Sequence, residues 1–179
     1  MNGRAMSGPT TASTVALAGA GDEAAFAQLV ATYHADMARV AFAACGDREL
    51  AEDAVQSAWL VAWRKLHSLR NPERVRPWLL AVTVNEARQI LRRRHGPVVE
   101  IDVEAPGDPR GDPSTGIERV DLRRAFAHLS PDDRVLLAMH YAVDLGSDEL
   151  AAAVGTSPSA VRMRLSRIVD RLRKELRDG

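Results

Sequence analysis

Residues 151–167 read AAAVGTSPSAVRMRLSR. The Gly155-Thr156-Ser157-Pro158 turn joins two apolar helical patterns, and the second carries Arg162, Arg164 and Arg167. Ser157 is an expected N-cap and Pro158 an expected first helical residue. Beyond the turn, Val161, Leu165, Ile168, Val169, Leu172 and Leu176 share one face at about 100° per residue. Met163, Arg167 and Lys174 point the other way, flanked by Arg162 and Arg164. A helix pinned by its apolar side and bearing arginines outward suits a DNA-reading helix-turn-helix, whose second helix lies in the major groove. Arginine can donate two hydrogen bonds to one guanine.

Working towards the N-terminus, two further start signals appear. SDELAAAVG places Ser147 as a cap, and SPDDRVLLAMHYAVDLG places Ser130 before a proline and two acids. Together with RVDLRRAFAHL they define a C-terminal helical module over 119–177. Before it lies GPVVEIDVEAPGDPRGDPSTGIE, 96–118, with four glycines and four prolines, which reads as a linker. Its 23 residues reach roughly 75 Å when straight but average about 26 Å as a random coil.

An N-terminal module over 22–95 is expected to hold four helices. DEAAFAQLVATYHADMARVAFAACG, DRELAEDAVQSAWLVAWRKL and WLLAVTVNEARQILRRR carry helical periodicity, with Asp47 a cap and Pro77 an opening residue. Trp59, Trp63, Trp78, Val82 and Ile90 are expected core positions. HSLRNPERVRP is a basic loop between the second and third of these stretches. Residues 1–21 are expected to be a disordered tail, with too brief an apolar patch for a secretory signal. The fold class is therefore all-α, two small modules on a flexible linker.

The chain has 24 basic and 24 acidic residues, but they are sorted into blocks. Nine bases and two acids lie between Arg64 and Arg94, and seven bases and two acids between Arg162 and Arg177. The segments 22–53 and 100–121 are acidic in the same proportion, seven to two. Basic blocks on helices are candidate footprints for a polyanion. The lone Cys45 excludes an intrachain disulfide and fits a reducing compartment. No apolar run approaches the roughly 20 residues needed to span a bilayer, so membrane insertion is not expected. No glycine-rich phosphate loop, paired-cysteine zinc spacing or Glu-x-x-His motif occurs. An enzyme is thus disfavoured, and no cofactor or metal is expected. A stand-alone helix-turn-helix regulator remains the alternative.

In this order the two modules resemble the extracytoplasmic-function sigma factors of bacterial RNA polymerase. The stretches ELAEDAVQSAWLVAWRKL, WLLAVTVNEARQILRRR and LSPDDRVLLAMHYAVDLGSDELAAAVGTSPSAVRMRLSRIVDRLRKEL carry the resemblance. It implies a cytoplasmic transcription initiation factor whose partners are core RNA polymerase, promoter DNA and an anti-sigma factor. It implies that Glu52, Asp53, Gln56 and Leu60 face the polymerase. It implies minus-ten contacts from the loop bearing Arg70 and Asn71, and from Asn85, Arg88 and Arg92. Ser159, Arg162, Met163, Arg164, Ser166 and Arg167 would face the minus-thirty-five major groove. The chain departs from the family pattern at Ser57, Val84 and Gln89.

Overall fold

The computed structural model describes residues 10–95 and 124–178; the proposed linker at 96–118 lies outside them. Helices α1 (Thr11–Gly19), α2 (Glu23–Cys45), α3 (Arg48–Lys65) and α4 (Val75–His95) build the first module. Two 3₁₀ turns, Leu66–Ser68 and Pro72–Arg74, connect α3 to α4. The second module contains a helical turn over 124–127, then α5 (Pro131–Leu137), a π-helical stretch Ala138–Ala142, α6 (Ser147–Val154) and α7 (Pro158–Asp178). The described residues contain no strand.

Helix α1 corrects the expected tail over residues 11–19; residues 1–9 lie outside the described residues. Thr10 caps it by accepting from the Ser13 N–H at 3.2 Å, and Val15 and Ala18 are buried. The apolar patch VALAG is short for a signal but sufficient for two helical turns supported by neighbours. Residues 22–95 hold three α-helices where four were expected, the 66–74 connection forming only two 3₁₀ turns.

The remaining starts follow side-chain chemistry. Asp22 accepts from the Ala25 N–H at 2.8 Å and Asp47 from the Leu50 N–H at 2.9 Å. Each satisfies an amide that has no carbonyl partner within its helix. Gly46 ends α2 at φ 68°, a left-handed conformation that glycine adopts without steric penalty. Helix α4 opens at Val75, two residues earlier than expected, because Pro77 is tolerated anywhere in a first turn.

Helices α2, α3 and α4 pack on one another. Ala41, Ala54, Ala58, Ala62 and Ala87 are fully buried, and their small side chains allow close helix approach. Met37, Val40, Leu79 and Leu80 fill the space between. Trp59 is half-buried and Trp63 is 40% exposed, so the tryptophans cap the core instead of filling it. Both meet Phe26 edge-on, with centroids 5.5 and 4.8 Å apart. Trp78, Val82 and Ile90 are half-buried at the core margin; Leu79, Leu80 and Thr83 occupy the centre of that face.

In the second module Ser130 accepts from the Asp133 N–H at 3.2 Å, as its sequence position predicts. Helix α6 differs: Gly146 is its N-cap and Ser147 its first residue. Glu149 supplies the side-chain cap, accepting from the Gly146 N–H at 3.2 Å. The second module lies against the first, with α5 and the π-helical stretch on α2, and α6 on α4.

Candidate nucleic-acid interface and partner face

Helix α7 is built as its sequence implies. Ser157 accepts from the Ala160 N–H at 3.2 Å and starts the helix. Val161, Leu165, Ile168 and Leu172 are buried, fixing its rotation, while Val169 is half-buried and Leu176 is exposed. Ser159, Arg162, Met163, Arg164, Ser166 and Arg167 are all exposed on the remaining surface, beyond the α6–Gly155 turn. Gly155 itself has φ 70°, which allows the sharp reversal between the two helices. Burying one face by about 1.5–3 kcal/mol per large apolar side chain holds the arginine-bearing face outward.

One of these arginines is not free. Arg164 Nε donates to Asp133 Oδ1 at 2.8 Å, and Asp133 is buried. Asp133 Oδ2 also lies 3.9 Å from Arg171 Nη1. The exposed helix thus divides into Arg164, tied back to α5, and Arg162 and Arg167, which make no ion pair among the described residues. Arg167 rests against the Met163 sulfur one turn away.

The second basic surface lies on the first module. Arg70 and Asn71 are exposed at the apex between the two 3₁₀ turns, where Asn71 Oδ1 accepts from the Glu73 N–H at 3.1 Å. Asn85, Arg88 and Arg92 are exposed along α4 at helical spacing, so one face brings them together. Val84 points the other way, into the core. Arg88 is engaged: its Nη2 donates to Asp132 Oδ1 of the second module at 2.7 Å.

A sequence reading misses what Asp132, Asp133 and Arg134 do together. They are consecutive in one helical turn, yet they reach Arg88 on α4, Arg164 on α7 and the Ala43 carbonyl on α2. Arg134 is buried; its Nε donates to Ala43 O at 3.0 Å and its Nη1 to Leu129 O at 3.1 Å. Burial lowers its pKa, and the Cys45 thiol group acts in the opposite direction. Arg76 adds another bridge, pairing with Asp36 at 2.9 Å and donating to the Val143 carbonyl across the module boundary. Run-length and periodicity mark DDR only as a helix start; its cross-module partners are invisible without the fold.

On α3, Glu52, Asp53, Gln56 and Leu60 form one exposed face, with Leu60 61% exposed. An uncharged residue so exposed beside carboxylates fits a protein-docking surface. The opposite side of α3 is buried through Leu50, Ala54 and Ala58. Next to this face, a groove runs between the modules. Its apolar walls include Phe42, Ala51 and Val55 on one side and Leu137, Val169 and Leu172 on the other. Glu52 and Gln56 form part of its lining, so the groove and the exposed α3 face overlap.

A helical module with a basic face and an acidic-apolar face, followed by a helix-turn-helix, defines a DNA-directed protein that also docks on another protein. Comparison with known proteins specifies the family. Sigma-70 region 2 matches residues 29–96, and Sigma-70 region 4 matches residues 119–172. The chain is 33% identical over 168 residues to the probable RNA polymerase sigma factor RfaY of Xanthomonas campestris, covering 89% of this chain and 42% of that protein. It is 32% identical over 130 residues to the RNA polymerase sigma factor CarQ of Myxococcus xanthus, covering 71% and 75%. Among solved structures, CnrH in complex with the cytosolic domain of CnrY aligns with a TM-score of 0.72 at 24% identity, covering 94% of this chain and 98% of that one. The sigma factor RpoE of Bartonella quintana, in complex with the anti-sigma factor NepR, aligns with a TM-score of 0.71 at 23% identity, covering 85% and 96%. The chain belongs to the extracytoplasmic-function sigma factors of the sigma-70 family. It is an alternative sigma factor, the class of transcription initiation factor that directs RNA polymerase to promoters. None of the described helices is long and apolar enough to cross a membrane.

Proposed function

We propose that this chain works in the cytoplasm as a non-catalytic factor, docking on core polymerase through Glu52, Asp53, Gln56 and Leu60. Arg70, Asn71, Asn85, Arg88 and Arg92 then meet the minus-ten element. Ser159, Arg162, Met163, Arg164, Ser166 and Arg167 meet the minus-thirty-five element in the major groove. The observation that carries this reading is the rotation of α7, which buries Val161, Leu165 and Ile168 and leaves all six groove residues exposed. Phosphate contacts from the outer arginines would set register, and paired bonds from Arg162 or Arg167 would read bases.

The closed arrangement supports a division of labour. Two turns of duplex span roughly 68 Å. Modules clasped through Arg88, Arg134 and Arg76 cannot occupy two sites that far apart, so docking on polymerase separates them. The inter-module groove supports a regulated version of the same step. An anti-sigma factor laying an amphipathic helix into it would cover Glu52 and Gln56 and hold the modules shut.

Run-off transcription with core polymerase tests the reading. Specific transcripts should appear only when this chain is added. The chain without polymerase should bind promoter duplex weakly. Nanomolar, sequence-specific binding by a symmetric dimer, with no effect on transcription by added core, would favour a stand-alone regulator.

A further inference from the structure

Helix α1 rests on the part of the first module that carries Arg70 and Asn71. It contacts both 3₁₀ turns, Leu66–Ser68 and Pro72–Arg74, which form the two shoulders of that loop. Its buried residues Val15 and Ala18 face inward, and Leu66 on the first shoulder is buried. A close approach occurs at Gly19. A Cβ there would stand 3.3 Å from His67 Cα and 3.4 Å from His67 N, both backbone atoms. Backbone cannot rotate away as a side chain can, so a methyl group at this point requires a shift of a few tenths of an ångström between α1 and the shoulder. Between the clamped shoulders, Arg70 and Asn71 remain exposed. The loop is held at its base and free at its tip.

We propose that α1 is a positioning element for the minus-ten loop, with Gly19 the contact that sets the height and angle of the Arg70–Asn71 apex. This rests on the reading of that loop as the promoter-contacting one. Gly19 is a positioning residue: it touches no base, and acts through the His67 backbone. Side-chain chemistry alone does not mark it, because its contribution is the absence of a side chain.

Gly19→Ala and Gly19→Val, in the full chain, test it. Neither substitution removes a hydrogen bond or a buried group, and alanine favours a helix more than glycine does. Holoenzyme made with each variant is assayed on a promoter set randomised across the minus-ten element. The strongest base preference should fall at least about fivefold with Gly19→Val and less with Gly19→Ala, since a displacement of about 1 Å can cost up to about a hundredfold in a positioned contact. Core affinity and the minus-thirty-five footprint should not change. Amide exchange in the free protein should quicken at residues 66–74 and nowhere else. Unchanged base preference, or exchange that rises throughout the module, overturns the proposal. Arg70→Ala and Asn71→Ala separate the two levels. If they flatten the preference while the Gly19 variants do not, only the positioning role falls. If they too are silent, the loop is not the reader and both readings fall. Leu17→Ser, on the exposed side of α1, is the control and should behave as wild type.

Discussion

At the residue scale, Arg162, Arg164 and Arg167 on α7 are not equivalent. Arg162 and Arg167 are unpaired among the described residues, whereas Arg164 binds the buried Asp133. Arg162→Ala or Arg167→Ala should reduce promoter use by about 1–3 kcal/mol for each base-reading arginine, with an unchanged melting temperature. Arg164→Ala should also lower the melting temperature, because it leaves a buried carboxylate short of its closest partner. Wild-type transcription by both Arg162→Ala and Arg167→Ala would remove them from the groove. Cys45 offers a different test. Burial above all, with the Asp47 charge adding to it and Arg134 opposing, pushes its thiol pKa up to about 11. In the unfolded chain a cysteine titrates near 8.5. The folded state therefore holds the proton more tightly, and the stability this confers is complete below about pH 8.5 and is lost as pH rises towards 11. Thermal melts between pH 8 and 11 should fall more steeply for wild type than for Cys45→Ala. Native Cys45 should also resist thiol reagents at neutral pH.

At the element scale, the helix starts carry most of what can be read without a fold. Removing the Ser157 cap by Ser157→Ala should cost about 1 kcal/mol. The loss should appear as a lower melting temperature and faster amide exchange at the start of α7. Asp47, Ser130 and Ser157 were all legible because a cap is a local bargain between one side chain and an amide three residues on. The rotation of α7 was legible too, since its apolar positions recur from Val161 to Leu176, about four turns. Helix α1 was not, because nine residues with no charge give little periodic signal and owe their order to neighbours distant in sequence. Ser147 misled for a related reason: serine and glycine both suit the cap, and Glu149 decided in favour of Gly146. The core of α4 lies one position on from the expected one, with Leu79 and Thr83 buried where Trp78 and Val82 are half-buried. The exposed faces of α3 and α7 follow from sequence; the neighbours of Arg88, Arg134 and Arg164 do not, since hydrogen bonds across 31 to 91 residues leave no local trace.

At the scale of the whole molecule, closure is held by a few directional contacts around an apolar groove. Asp132→Lys combined with Arg134→Ala replaces the attraction at Arg88 with repulsion and removes the bond to the Ala43 carbonyl. Small-angle scattering should show the double variant expanded relative to wild type. The Arg88 pair is surface-exposed and contributes at most about 1 kcal/mol, so most of the change should come from Arg134. An unchanged radius would show that apolar packing alone keeps the modules together. Opening has a limit, set by the chain between them. Deleting about ten of the 23 residues of the proposed linker would leave a straight reach of roughly 43 Å, below the two turns of duplex that the proposed two-element reading requires. Promoter use should be lost while circular dichroism still reports both modules folded. Transcription by that variant at unaltered promoter spacing would show that the two elements are not read together. The turn at Asp132–Arg134 also bears on recombination. Grafting a foreign recognition module onto this first module would exchange all three residues at once, and with them the grip on α2 and α4. Such hybrids would inherit promoter preference from one parent but a mismatched resting state, and their unprompted background activity would report how well the seam was conserved.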